Sequence, residues 1–255
     1  LLTATALALA VALGLPLALW LGHLGRGGFL AINISNVGRA IPTFALLALL
    51  VTADWPGVAT FGPYGRAGIA ITALLAFRLV WGVIGSTYAR FADFVPGPAH
   101  IWAHIRGEWN GLGHNPFGAL SVLALLGILL FQAASGLVAN DDIAFEGPLY
   151  VLVSKDTSDW LSSLHRQNFW PIIVLVSLHV LAILYYAHVK KDNLVKPMII
   201  GVKEVSDPEA KPARGGGPAA FVIALLVAVF VAWASTGALL PLPPPPPPAQ
   251  AVPAW

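Results

Sequence analysis

The chain has 255 residues, of which 57% are hydrophobic and 10% charged, with a formal net charge of +2. A soluble domain carries about 25% charged residues, so this composition excludes an ordinary soluble globule and points to an integral membrane protein. The small net charge speaks against a nucleic-acid partner, and the absence of cysteine excludes disulfides, iron–sulfur clusters and covalent C-x-x-C-H haem attachment.

The chain opens on Leu1 and its only methionine is Met198, so a fragment or processed product is expected. Six apolar segments follow in order: residues 3–21, 42–61, 67–86, 117–139, 168–188 and 219–240. The second is interrupted by Asp54 and Pro56. The last four each approach the roughly 20 residues that cross a bilayer as a helix. The expected fold class is therefore all-α, a polytopic transmembrane helix bundle.

Loop charges predict orientation. Residues 190–214 carry Lys190, Lys191, Lys196, Lys203, Lys211 and Arg214 against four acids. Residues 140–166 carry Asp141, Asp142, Glu146, Asp156 and Asp159 against two bases. The positive-inside rule puts the first loop in the cytoplasm and the second outside. Alternation then places residues 87–116 inside. Trp81, Trp160, Trp170, Tyr185 and Tyr186 lie near predicted span ends, where interfacial aromatics collect. Gly215, Gly216 and Gly217 read as a flexible linker into the last span. Six prolines at 243–248 read as a stiff polyproline II tail, either a docking stalk or an unstructured end.

Two histidines, His165 and His179, stand out because ionisable groups within a span are expensive and usually functional. They are 14 residues apart, about 21 Å of helical rise and about 40° short of four full turns. Both rings are therefore expected on one face of one helix, at two depths of the membrane. Neutral imidazole is a good axial ligand for iron, so the pair reads as one ligand each to two stacked, non-covalently held b haems. The competing reading is a loop histidine and a packed histidine bonded to a neighbouring helix. Pro171 is expected to kink a helix that starts with Asp159 as its N-cap.

Several short motifs carry a family resemblance. They are Arg78-Leu79-Val80-Trp81-Gly82, Tyr88-Ala89-Arg90-Phe91, Gly113-His114-Asn115-Pro116, Gln132-Ala133-Ala134-Ser135-Gly136, the run from Asn140 to Pro148, and Lys196-Pro197-Met198-Ile199-Ile200-Gly201. In this order they resemble the bacterial cytochrome b561 family, over residues 65–205. The resemblance implies a four-helix bundle with two b haems. It implies electron transfer between the quinone pool and a periplasmic partner, in the bacterial inner membrane. It also implies that His165 and His179 are the two ligands of the fourth helix. The family's second-helix histidine falls at Tyr64 here, and its first-helix histidine has no match except the distant His23. Fewer than two haems are expected on that ground.

The run His23 to Ile34, with Asn36 to Pro42, resembles permease subunits of glycine-betaine-type ABC importers, over residues 3–52. The expected organisation is then a permease-like fragment with one or two spans at 1–64, an incomplete b561-like bundle at 65–205, a linker and last span at 206–240, and a Pro-rich tail at 241–255. The expected function is a membrane b-type cytochrome, with a quinone as donor or acceptor. A permease fragment or a non-functional hybrid are the alternatives.

Other residues carry weaker signals. Arg78 sits within a span and either pairs with a haem propionate or snorkels to the headgroups. His100 and His104, four apart on a predicted short interfacial helix, read as polar side chains facing the surface rather than a metal pair, since no thiolate partner lies nearby. His114 reads as part of the start of the next helix, and His188 as part of the cytoplasmic rim. Gln132, Ser135 and Gly136 read as close helix packing with an interhelical hydrogen bond.

Overall fold

The computed structural model describes residues 62–200 and 213–241, apart from 110 and 112. The first two predicted spans, His23 and the permease-like stretch lie outside the described residues. Within them the chain is helical, without a strand: α1 (Gly62–Ile84), α2 (Phe91–Phe94), α3 (Pro98–Ile105), α4 (Pro116–Leu137), α5 (Lys155–Gln167), α6 (Phe169–His188), α7 (Val195–Ile200) and α8 (Pro218–Ser235). Four stretches are long and apolar enough to cross a membrane: Gly65–Ile84, Pro116–Leu137, Lys155–His188 and Pro218–Ser235. They match the last four predicted segments to within a few residues, except that the third begins well upstream of residue 168.

The helices pack in the spatial order α8, α1, α4, then α5 with α6. The α1–α8 contact is made by small residues and one aromatic cluster. Ala224, Ala228 and Ala232 are buried at intervals of four on α8, against Ile69, Ala70, Ala73 and Trp81 of α1. Small side chains at this spacing let two backbones approach closely. Trp81 stacks on Phe77, with ring centroids 5.8 Å apart, and meets the edge of Phe221 at 6.2 Å. Trp81 is only 3% exposed, so it is a core residue rather than the interfacial aromatic expected from its place near a span end. Trp160, Trp170 and Tyr185 are exposed, as expected of aromatics at span ends.

The turn into α8 also differs from expectation. Gly215 bridges to Ser86, Thr87 N–H donates to the Arg214 carbonyl at 2.9 Å, and Arg214 N–H donates to Thr87 Oγ1 at 2.9 Å. Gly216 has φ +66°, and a Cβ there would lie 2.6 Å from the Ser86 nitrogen. Glycine is needed for both the left-handed backbone and the close approach, and this stretch is a pinned corner rather than a free linker.

α4 begins as a capped helix. Asn115 Oδ1 accepts from Gly118 N–H at 2.7 Å and Pro116 takes the first turn, where its missing N–H is harmless. His114 precedes this cap. α3 carries His100 and His104, as the predicted interfacial helix does.

α5 starts at Ser154, whose side chain caps Thr157 N–H, and not at Asp159 as expected. Asp159 instead pairs with Lys155 one turn back and accepts from Asn140 Nδ2 at 2.9 Å. Pro171 cannot donate to the Gln167 carbonyl. The helix relaxes just upstream, at Asn168 (φ −64°, ψ −15°), and splits into α5 and α6.

Candidate functional site

The site is built along the contact between α4 and the α5–α6 pair. At one end, the Asn140 corner fixes the register. Asn140 N–H donates to Ser162 Oγ at 2.9 Å, Asn140 Nδ2 donates to Ser158 Oγ at 2.6 Å, and Ser158 Oγ donates to the Val138 carbonyl at 2.7 Å. Ser158 is fully buried. Buried polar groups of this kind hold their partners firmly, because an unmet bond there is costly. At the other end Asn115 Nδ2 donates to the Tyr186 hydroxyl at 2.6 Å.

Between these ends, the better-buried positions of α5 and α6 form one stripe. His165, Asn168, Ile172, Leu175, His179, Ile183 and Tyr186 are half-buried, while the positions between them are mostly exposed. Their intervals of three and four follow one helical face. The break at Asn168 therefore interrupts the helix without turning the stripe away from α4.

Both histidines point at α4. His165 Nδ1 lies 3.1 Å from Ser135 Oγ, and its Nε2 lies 3.0 Å from Gln132 Nε2. His179 Nδ1 lies 3.3 Å from Ser121 Oγ. The donors around His165 assign its tautomer. Ser135 Oγ donates to the Phe131 carbonyl at 2.7 Å, so it accepts from Nδ1–H. Asn168 Nδ2 donates to Gln132 Oε1 at 2.9 Å, which leaves the Gln132 amide to donate to Nε2. Nδ1 is then the protonated nitrogen and Nε2 carries the lone pair.

The pairings form an antiparallel register. Ser121 and Ser135 are 14 residues apart, like His165 and His179. One helix presents serines about 21 Å apart in depth and the other presents histidines at matching levels. Gly136 completes the outer level, since a Cβ on it would lie 2.9 Å from Cε1 of His165.

The expected packing role of Gln132, Ser135 and Gly136 is thus realised, with His165 as the partner. Ser121 was missed because a lone serine in an apolar run is an ordinary sight. Its matching 14-residue spacing to Ser135 was the available signal.

The structure sends Arg78 elsewhere. Its guanidinium donates to the Ala89 carbonyl at 3.2 Å and lies over Phe91 at 5.0 Å and Phe94 at 5.7 Å. From α1 it reaches into the loop that follows, whereas the two histidines, on α5 and α6, face α4. His104 packs edge-on against Trp109 and Phe117, His114 lies tilted over Phe94 with ring centroids 5.0 Å apart, and His188 Nδ1 lies 3.0 Å from the Leu184 carbonyl.

The donors fit a non-covalent b haem. The chain has no cysteine, and at each level an imidazole has Nδ1 held by a serine hydroxyl. Metal-bound histidines characteristically tie back their second nitrogen in this way. At His179 the tie leaves Nε2 for a metal. At His165 the Gln132 amide stands on Nε2 and must rotate aside first. A shallow open groove lined by Phe131, Leu164, Gln167, Asn168 and Pro171 lies near this level, and His165 is not part of its lining.

An apolar helical bundle with two inward imidazoles at separate depths has ligand chemistry that suits one class, the membrane-embedded b-type cytochromes of electron transfer. Within it, the family described as prokaryotic cytochrome b561 matches residues 5–201. The chain belongs to that family. The match runs through the stretch that resembles an ABC permease, and no comparison supports a permease fragment there. No curated protein and no solved structure matches the chain significantly.

Proposed function

We propose that the protein carries electrons across the bacterial inner membrane as a multi-pass b-type cytochrome, with His165 and His179 each supplying one axial ligand through Nε2. The observation that carries this reading is the register of α4 against α5 and α6, which turns both imidazoles inward at two depths and ties both Nδ1 atoms. A haem with both axial positions filled supplies one-electron transfer without an open site for substrate.

The protein's own residues orient and insulate. Ser135 and Ser121 hold the rings, Gly136 gives His165 room, and the apolar run of α6 keeps water away. His23 and Tyr64 are the candidates for the opposing ligands. Arg78, half-buried on α1 and bonded to the Ala89 carbonyl, is the candidate partner of a propionate. A quinone as donor or acceptor and a partner on the outer face complete the path. The acidic 140–166 loop faces outward and the basic 190–214 loop inward.

A reduced-minus-oxidised spectrum of the purified protein tests the reading. A sharp b-type alpha band is expected, and pyridine haemochrome quantitation then counts the haems: two per chain, one on each imidazole, are expected on this reading, in place of the fewer than two that the missing family histidines suggest. His179→Ala removes one component and leaves His165 intact. A wild-type protein, expressed with ample haem, that shows no such band overturns the assignment.

A further inference from the structure

The pairing of two serines with two histidines at one shared interval has a consequence beyond ligation. We infer that Ser121 and Ser135 are positioning residues that set the protonation and basicity of the two ligands, one serine per level, and so tune the two haem potentials separately. This rests on the haem reading above.

The chemistry is direct at His165. Ser135 is 2% exposed and its hydroxyl hydrogen is committed to the Phe131 carbonyl at 2.7 Å. With the hydroxyl hydrogen on a backbone carbonyl, its oxygen accepts from Nδ1–H, at 3.1 Å. An acceptor on Nδ1–H pushes electron density toward Nε2 and raises ligand basicity. That favours the ferric ion over the ferrous ion. Ser121 repeats the contact at His179, at 3.3 Å. The longer distance makes the second tie the weaker one.

The two levels also differ on the other nitrogen. Gln132 donates to Nε2 of His165 at 3.0 Å and is itself held by Asn168. No described residue does the same for His179. The His165 imidazole is therefore oriented before any metal arrives, whereas the His179 ring is held by one contact. Ser135 should matter more than Ser121.

The experiment uses the full chain, purified in detergent, as Ser135→Ala, Ser121→Ala and the corresponding threonine variants. Potentiometric titration reads each haem separately. Ser135→Ala is expected to raise the potential of the His165 haem and leave the other in place. Ser121→Ala does the converse, with a smaller rise. A tenfold change in the ferric-to-ferrous balance corresponds to about 59 mV for one electron. Threonine, which keeps the hydroxyl, restores each potential. Haem content reports separately, because loss of such a partner lowers metal affinity about 10–100-fold.

Nitrogen-15 spectra of the histidine rings in haem-free protein supply a readout independent of the cofactor. In a Gln132→Leu background, which frees Nε2 of the Gln132 amide, Ser135 is expected to keep His165 as the Nδ1–H tautomer, and Ser135→Ala to shift it toward Nε2–H. Unchanged tautomers and unmoved potentials in both alanine variants overturn the inference. So does an equal movement of both haems by either variant, which would mark a general structural effect. A wild-type chain that takes up no haem when expressed with ample haem, while Ser135→Ala still shifts the His165 tautomer, would overturn the haem reading alone.

Discussion

Two of the helix contacts of this bundle are made of different materials. Between α1 and α8 the meeting surface is alanine at every fourth position, with Trp81 stacked on Phe77 and both meeting Phe221 edge-on at one end. Between α4 and α5–α6 it is serine, glutamine, asparagine and histidine. Lipid gives apolar helices little hydrophobic reason to associate. The first contact relies on close van der Waals packing. The second relies on hydrogen bonds whose alternative is an unmet polar group in a low-dielectric interior. Close packing tolerates no added bulk, and polar pairing tolerates no lost partner, so the two contacts should fail in different ways.

Gly136→Val separates them most sharply. Even a single Cβ at this position meets the His165 ring at 2.9 Å, and a valine drives the ring out of line with Ser135. The expected result is loss of one of the two spectral components, with the His179 component kept. Retention of both components in this variant would show that the ring has room the structure does not give it.

Ala224→Leu addresses the other contact. Ala224 is fully buried against α1, and overpacking a close contact costs about 1–3 kcal/mol. Thermal unfolding in detergent should shift down by that amount while the potentials of the remaining folded protein stay put. A changed potential would mean that the α1–α8 contact reaches the histidine levels.

Much of this architecture was legible beforehand, and the exceptions share a cause. Apolar runs of about 20 residues announce spans by composition alone, and the 14-residue spacing of His165 and His179 follows from helix geometry. Trp81 was misread because its burial depends on the alanine face of α8, which lies more than a hundred residues away. Ser154 displaced Asp159 as the cap of α5 because both residue types cap well, and Asp159 was needed by Asn140 and Lys155. The serine partners were invisible singly, since only the antiparallel register of α4 against α6 brings them to the rings. Sequence patterns report a helix's own face. What meets that face is decided elsewhere in the chain.

The corner that sets this register gives the next prediction. In Asn140→Ala the buried Ser158 hydroxyl loses its 2.6 Å donor. A buried polar group left short of a partner costs about 1–3 kcal/mol. Because α5 is then free to slide against α4, the His165 component should broaden or shift before the His179 component does. Equal sensitivity of the two would place the register control elsewhere.

The smallest effect belongs to the exposed loop beyond that corner. Asp141 Oδ1 accepts from the N–H groups of Phe145, Ala144 and Ile143, at 2.8, 2.9 and 3.0 Å. These bonds, led by Phe145, hold its carboxyl below the usual carboxylate range. A carboxyl whose folded pKa is depressed adds stability that is fully present above its unfolded value, about 3.9. That stability is lost as the pH falls through the lower folded value. The loop should therefore keep its amide protection from neutral pH down to about 4 and lose it below, while the α1–α8 contact, which has no carboxylate in it, is indifferent over the same range. Asp141→Asn should weaken protection of the three amides at neutral pH and flatten its pH dependence. If the loop opens near pH 6 in the wild type, a different group governs it and the Asp141 contacts are incidental.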